Sequence, residues 1–171
     1  MTCEICQQIE KKIGVLIETK EVVALIAPKP AVTGHVLVVP REHHAILEQV
    51  PDAVVGQMMT VANRLSIVLF EGLGCQGTNM IVPNGIPAGQ STPHTAMHII
   101  PRNENDEVNV LWKPKQLNEE EMSAIELKMK EEASKMGKKE EPAPKKEAPK
   151  QEVLQLSDEE NYLLKSLKRI P

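Results

Sequence analysis

A long helical pattern set between two groups of strand-like runs is the feature that most constrains the fold of this chain. From Pro51 onward apolar side chains recur every three or four residues, and Gly72 and Gly74 follow the last turn. The pattern predicts an amphipathic helix of about five turns. Its apolar positions are Val54, Val55, Met58, Met59, Ala62, Leu65, Val68 and Leu69.

Short β-branched runs lie on both sides of this helix. Residues 22–27 and 35–39 precede it and are separated by a turn with prolines and a glycine, which predicts a β-hairpin. Residues 79–82 and 95–100 follow it, on either side of a loop rich in glycine and proline, and are predicted to be strands. This order of elements predicts an α+β fold.

Composition excludes several classes of partner. The chain has 171 residues, 41% of them hydrophobic, which suffices for one domain with its own core. Only 2% of the residues are aromatic, so RNA recognition by base stacking is not expected. The net charge of −4 offers no footprint for a phosphate backbone, and we expect no general nucleic-acid binding.

Hydropathy and the N-terminus indicate a cytoplasmic protein. Apolar runs such as residues 36–39 fall far short of the roughly 20 residues that span a bilayer, so no membrane segment is expected. The chain starts Met-Thr-Cys-Glu, without a basic region leading into an apolar stretch, and we expect no secretory signal. In a reducing cytosol the three cysteines would form no structural disulfide.

The last third of the chain differs from the domain at residues 1–112. Asn118 followed by three glutamates is an N-cap with acids that suit the helix dipole, so residues 113–136 are predicted to be a helical extension. Residues 137–151 lack apolar anchors and are predicted to be a disordered Lys/Glu/Pro linker. Residues 152–171 contain a capping box and predict a short terminal helix, which docks on this chain, binds a protein partner or forms only transiently.

Two cysteines near the N-terminus are candidate metal ligands. Cys3 and Cys6 have the spacing of half a zinc clip, and His43, His44 and His94 offer imidazoles for the other half. The alternative is an ordinary pair of small buried cysteines, and the spacing alone leaves both open. Cys75 follows the helix in a glycine-rich stretch and has no ligand spacing, which indicates a structural role.

The loop after the third strand is a candidate phosphate site. Asn84 to Ser91 combines glycines, which let backbone amides approach an anion, with neutral donors. A surface turn is the alternative for this loop. In the following strand His94 and His98 are four residues apart, so both side chains point to one face, with Ala96 between them.

The segment from Pro93 to Arg102 resembles the signature of the histidine triad (HIT) family, His-x-His-x-His followed by two apolar residues. Ala96 stands where the central histidine belongs. Cys3-x-x-Cys6, the hairpin from Pro30 to Pro40 and the loop Asn84–Ser91 resemble other blocks of the family and occur in the expected order. The resemblance covers roughly residues 3–104. It implies an antiparallel sheet with one long helix packed on it, followed here by the C-terminal helical extension.

The resemblance also implies an activity. HIT proteins are nucleotide-binding hydrolases or transferases that act at the α-phosphate of nucleoside phosphoramidates or dinucleoside polyphosphates, and we expect a homodimer. The ligand would be a purine nucleoside monophosphate or a nucleotidyl conjugate. His98 would contact the phosphate, His35 would line the site, and Leu25 and Ile26 would wall the base pocket. The remaining phosphate-binding positions implied are Asn84, Gly89, Gln90 and Ser91.

For zinc, the resemblance implies the ligands Cys3, Cys6, His43 and His94. Four protein ligands leave no open position, so the metal would be structural. His44 is disfavoured, because the family places its histidine three residues after the proline that ends the strand. Many relatives bind ribose through an acidic residue near the end of the first hairpin strand. Ala27 occupies the nearest position here, so no ribose ligand is assigned.

Ala96 removes the group that attacks phosphorus. In the family the central histidine forms a nucleotidyl-histidine, and a methyl group has no lone pair for this step. The chain is therefore predicted to be inactive or crippled. A deliberate His→Ala substitution is favoured because His94, His98, Gln90 and Ser91 remain suited to catalysis. The alternative is a natural non-catalytic nucleotide-binding or adaptor protein whose C-terminal tail recruits a partner.

Overall fold

The structure is a computed structural model, and it describes residues 3–136. The chain divides into two compact units, Met1–Trp112 and Lys113–Pro171. The first unit contains the sheet, and the described part of the second is one helix. The domain boundaries stay predictions.

The first unit is built on a five-stranded sheet in which every pair of neighbours is antiparallel. The strands are β1 (Val15–Glu18), β2 (Val22–Ile26), β3 (Val36–Pro40), β4 (Gly77–Ile81) and β5 (Met97–Arg102), in the order β1-β2-β3-β5-β4. The predicted hairpin is β2 and β3, paired from Val22 with Pro40 to Ile26 with Val36. The α+β prediction and the four predicted strands are confirmed.

One face of the sheet packs against a long helix, α2 (Asp52–Leu73). Successive side chains of a strand point to opposite faces of the sheet. The set on one face therefore meets the helix and forms the main core. Those buried residues are Val22, Ala24, Val36, Val38, Met97 and Ile99 of the sheet with Met58, Ala62, Leu65 and Leu69 of the helix. The predicted helix is confirmed, and it ends at Gly74, which adopts a left-handed conformation with φ 65°.

By length and composition α2 would suffice to cross a membrane, and it is the one helix of residues 3–136 that does. The same apolar character is required of a helix that fills the core of a small domain. Met58 and Ala62 are fully buried against the sheet, as in a core helix, whereas Met59, Ile67 and Phe70 are 49%, 51% and 61% exposed.

The opposite face of the sheet carries a second, smaller apolar cluster. A short N-terminal helix, α1 (Glu4–Lys11), contributes Ile5 and Ile9 to it. The sheet contributes Val23, Leu25, Ala27, Leu37, Val39 and Ala96. The cluster places Ala96 on the face that α2 leaves free. Helix α1 and strand β1 are additional to the predicted elements.

The second unit begins its described structure with α3 (Glu119–Met136). Asn118 caps the helix: its Oδ1 accepts a hydrogen bond from the backbone N–H of Glu121 at 2.8 Å, and the Glu121 carboxylate accepts one from the N–H of Asn118 at 3.3 Å. This reciprocal pair is a capping box, and the predicted C-terminal helical extension is present. The predicted linker at 137–151 and terminal helix at 152–171 lie outside the described residues.

Candidate functional site

The three positions of the interrupted triad come together at one small cavity. His94, Ala96 and His98 line it together with Gln90, Ser91, Thr92 and Pro83. His98 pairs with Leu37 across the β3–β5 ladder, and Leu37 and Ala96 share the apolar cluster on the face opposite α2. Strand β5 begins at Met97, two residues later than predicted, so His94 and Ala96 lie in the segment that leads into it, and there they line the cavity beside His98.

A chain of hydrogen bonds fixes which nitrogen of His98 points outward. The backbone N–H of Ala31 donates to Nδ1 of His35 at 3.0 Å, so a neutral His35 carries its proton on Nε2. That nitrogen lies 3.0 Å from Nδ1 of His98, to which it donates. Nδ1 of His98 is thus the acceptor, and its proton is on Nε2. The ring is left with an N–H donor directed away from His35.

Both imidazoles of this pair are neutral at physiological pH. Burial, and to a smaller extent the like charge of a protonated His98, together lower the pKa of His35 to about 4. Burial also lowers the pKa of His98. Neutral rings keep the tautomers described above, so the pair presents a hydrogen-bond donor to an anion without a full positive charge.

On the other side of Ala96 lies a cluster of two thiols and two imidazoles. One ligand atom of each of Cys3, Cys6, His43 and His94 lies within 4.8 Å of the other three. Nδ1 of His94 is 3.6 Å from Sγ of Cys3 and 3.5 Å from Sγ of Cys6, and Nδ1 of His43 is 3.4 Å from Sγ of Cys6. Such separations suit ligands around a tetrahedral Zn²⁺ with metal–ligand bonds of about 2.0–2.3 Å.

The surroundings of His94 prepare it as a metal ligand. Its Nε2–H donates to the carbonyl of Pro40 at 3.0 Å, which leaves the lone pair of Nδ1 facing the sulfurs. Burial lowers the pKa of His94 and keeps the ring neutral. Burial and the adjacent Cys3 raise the pKa of Cys6 to about 11, so two thiolates here require a cation to compensate them. The donor set therefore fits a zinc ion.

Glycines shape the loop that bounds the cavity. Gly85 and Gly89 have φ values of 91° and 88°, which residues with a side chain rarely adopt. They flank a short 3₁₀ turn, Ile86–Ala88. Gln90 braces this loop with its amide: Oε1 accepts from the N–H of Gly85 at 2.8 Å, and Nε2 donates to the carbonyls of Ala45 and Thr92. Gln90 is predicted to bind phosphate, and in the structure its amide also stabilises the loop through these three hydrogen bonds.

Asn84 likewise joins the loop to the protein. Its Oδ1 accepts from the N–H of Leu47 at 3.0 Å and its Nδ2 donates to the carboxylate of Glu48 at 2.7 Å. These partners lie in a 3₁₀ turn at Leu47–Gln49, which the sequence analysis does not assign. Ser91 is exposed at the cavity. Of the predicted phosphate ligands, Gln90, Ser91 and His98 line the cavity.

The residues predicted for the base pocket are divided between two faces of the sheet. Leu25 is buried in the cluster that contains Ala96, and Ala27 is in the same cluster. Ile26 is adjacent to Leu25 in β2 and points the other way, because successive side chains of a strand alternate. A pocket on the Ala96 face can use Leu25 but not Ile26.

Comparison with known proteins identifies the family. The model of the HIT domain matches residues 8–105. An adenylylsulfatase from Arabidopsis thaliana is 33% identical over 121 residues, which cover 71% of this chain and 57% of that protein. An adenosine 5'-monophosphoramidase from Candida albicans is 29% identical over 145 residues, covering 79% of this chain and 93% of the relative.

Solved structures show the same fold. A histidine triad nucleotide-binding protein from Candida albicans has a TM-score of 0.71 at 27% identity, covering 79% of this chain and 99% of that one. A zinc-bound histidine triad family protein from Mycobacterium smegmatis has a TM-score of 0.59 at 25% identity, covering 79% and 98%. The predicted resemblance is confirmed: this chain belongs to the HIT family.

Proposed function

We propose that this protein binds a purine nucleoside monophosphate, or the nucleotidyl part of a conjugate, with its phosphate in the cavity lined by Ser91, Ala96 and His98. The observation that carries the proposal is the fixed tautomer of His98. With Nδ1 engaged by His35, the ring that lines the cavity keeps its proton on Nε2, and an anion there would gain from neutral N–H and O–H groups. Leu25 is fully buried in the cluster that contains Ala96, so it would support the base pocket from behind rather than form its surface.

In this proposal the protein holds nucleotide without turning it over efficiently. The family reaction needs a nucleophile at position 96 that forms a bond to phosphorus while the leaving group departs, and later yields to water. The methyl group of Ala96 cannot form that bond. The codon at position 96 of the natural gene distinguishes a laboratory substitution from an inherited alanine, and nucleotide binding is expected in both cases.

The names of the relatives support an adenylyl group as the recognised part. The plant relative is an adenylylsulfatase and the Candida relative an adenosine 5'-monophosphoramidase, so both names share AMP joined to a different leaving group. A Schizosaccharomyces pombe relative is a bis(5'-nucleosyl)-tetraphosphatase. We infer that the α-phosphate is the reaction centre for which this fold is shaped. The leaving group then occupies the open side of the cavity.

We further propose that Cys3, Cys6, His43 and His94 hold a structural Zn²⁺. The ion would tie α1 to the strand that carries Ala96, and with four protein ligands it would leave no position for substrate water. Neutral His94 and cysteine thiolates are the ligand forms required. Cysteines that bind zinc must stay reduced, as they do in a reducing cytoplasm, which we propose as the location.

A homodimer is the proposed assembly. Strand β4 is an edge of the sheet, and beside it Ile67 and Phe70 of α2 line a shallow pocket with Gly77 and Thr78. Ile67 and Phe70 are 51% and 61% exposed. An open strand edge next to exposed apolar side chains is a surface that a second copy can cover. Sedimentation of the protein and of Phe70→Glu tests this: we expect a dimer and a monomer, respectively.

Calorimetric titration tests nucleotide binding. AMP is expected to bind with one site per chain, and inorganic phosphate alone much more weakly, because it lacks the contacts with the base pocket. His98→Ala should weaken AMP binding about tenfold or more, since it removes a hydrogen bond to a charged group. His44→Ala is the matched control, an imidazole removed nearby but outside the cavity lining. The assignment of the cavity is wrong if neither AMP nor GMP produces saturable heat. It is also wrong if His98→Ala and His44→Ala lose the same amount of affinity for AMP.

A further inference from the structure

Helix α3 carries an apolar stripe that the described residues 3–136 leave exposed. Four large side chains recur along it at spacings of three, four and seven residues, and Ala133 fills the remaining turn. With 100° per residue these five positions fall within roughly 80° of the helix circumference. The four large residues are Met122, Ile125, Met129 and Met136, which are 54%, 52%, 65% and 80% exposed.

The stripe has charged borders that change sign along the helix. From Glu119 to Leu127 the helix carries four glutamates and no lysine. From Lys128 to Met136 it carries three lysines and two glutamates. The first half is therefore strongly acidic and the second slightly basic. A partner helix that matches both halves needs basic residues against the first and acidic residues against the second.

The end of this chain has the matching pattern. Between residues 158 and 170 the sequence places Leu163, Leu164, Leu167 and Ile170 on one face of a helix, about 120° wide. Its first three residues are Asp158, Glu159 and Glu160, and its basic residues, Lys165, Lys168 and Arg169, all come later. An antiparallel arrangement sets these bases beside the acidic half of α3. A parallel arrangement would set acid against acid.

We propose that residues 158–170 dock as an antiparallel helix on the Met122–Met136 stripe of α3. Residues 137–157, 21 in number from the sequence, connect the end of α3 to the docked segment. An antiparallel pair needs its connection to span only the distance between adjacent helices, roughly 8–10 Å, which a chain of this length covers easily. The result is a helical hairpin in the second unit, which covers a stripe that is otherwise costly to expose. The proposal depends on neither nucleotide nor zinc.

Hydrogen exchange of the full-length protein, resolved by mass spectrometry, tests the docking. Leu163→Asp should speed exchange of the α3 amides about tenfold or more, because a charge cannot replace a leucine buried between two helices. Tyr162→Asp is the matched control. It introduces the same charge one residue earlier, about 100° round the helix and off the stripe. A second pair of variants tests the α3 side of the contact. Met129→Asp lies on the stripe and should speed hydrogen exchange of residues 158–170, whereas Leu127→Asp lies off the stripe and should leave it unchanged.

Charge reversal tests the direction of the hairpin. Changing Lys165, Lys168 and Arg169 to Glu should speed α3 exchange, and adding Glu119→Lys, Glu120→Lys and Glu126→Lys should restore much of the protection. Glu121 is left unchanged because it belongs to the N-terminal capping box. Equal effects of Leu163→Asp and Tyr162→Asp, or no restoration by the second set of changes, overturn the proposal. Protection that rises with protein concentration also overturns it, since the occupant is then another copy.

Discussion

His98 lies in β5 and His94 three residues before that strand, both are partly or fully buried and line the same cavity, yet they present opposite nitrogens. His94 donates from Nε2 to the carbonyl of Pro40, so its Nδ1 faces the two sulfurs. His98 lines the cavity and accepts at Nδ1 from His35, so its proton is on Nε2. The backbone sets the direction of each ring, and the partner on the far side selects its tautomer.

The comparison separates two tasks within one motif. A lone pair directed at thiols makes His94 a ligand, and an N–H directed at the cavity makes His98 a donor. Ala96 lies between them with neither function. The three residues therefore do not act as one interchangeable set, and each position should respond differently to the same substitution.

The largest effect is expected from Ala96→His. A third imidazole between the other two would supply the missing nucleophile, and we expect hydrolysis of adenosine phosphoramidate to rise by about 10³-fold or more. Ala96→Gln is the control, since it fills the same space with a side chain that cannot attack phosphorus. Mass spectrometry should trap an adenylyl adduct on residue 96 of the histidine variant only. Equal turnover of the two variants would show that position 96 is not the nucleophilic site.

Metal loading should distinguish the His94 side of the motif from the His98 side. Zinc binding to the folded state alone adds roughly 4 kcal/mol when zinc is present at 1,000 times its Kd, which corresponds to a rise in Tm of more than about 10 °C. Cys6→Ser should abolish most of this rise. Cys75→Ser should keep it, because Cys75 is buried in the main core, remote from the cluster. A His98→Ala variant that lost the zinc response would contradict the division.

The sequence alone predicts most of the elements and offers the residues of the metal cluster. Apolar patterning predicts α2, which buries one face, and four strands, of which β2 and β3 are buried along nearly their whole length. The same patterning is less informative in the short elements. It missed α1 and β1, although Ile5 and Ile9 are spaced by one helical turn and Val15 and Ile17 alternate. Both elements are short, and the signal in four to eight residues is weak beside that of a 22-residue helix.

The tautomers could not be predicted from the sequence. They depend on the carbonyl of Pro40 and the N–H of Ala31, and every residue has such backbone groups. Only the folded chain determines which of them meets an imidazole. The opposite placement of Leu25 and Ile26, by contrast, follows from strand alternation and was available from the sequence. The bracing of the loop by Gln90 depends on a distant carbonyl, that of Ala45, and was not available.

A pair of substitutions at His98 sharpens the tautomer assignment. Glutamine places its amide N–H near the position of Nε2, whereas asparagine reaches only as far as Nδ1. We therefore expect His98→Gln to retain most of the affinity for AMP and His98→Asn to lose about tenfold, as the removal of a hydrogen bond to a charged group implies. Calorimetry measures both. Should asparagine bind AMP as well as glutamine does, the outward donor is not Nε2.

The smallest effect is expected in the pH dependence of stability, through His35. Its pKa is about 4 in the folded protein and about 6.5 in an unfolded chain, so on acidification the unfolded state takes up the proton first. His35 therefore lowers the free energy of unfolding on acidification. This destabilisation is absent above pH 6.5 and grows as the pH falls towards 4. His35→Asn keeps an acceptor for the N–H of Ala31 but cannot titrate, so its Tm should fall between pH 7 and pH 5 by a few degrees less than that of the parent protein. Carboxylates and the metal cluster titrate in both proteins, and the difference between the two curves isolates His35. Parallel curves would mean that folding does not lower the pKa of His35, which would contradict the buried, neutral imidazole on which the tautomer of His98 depends.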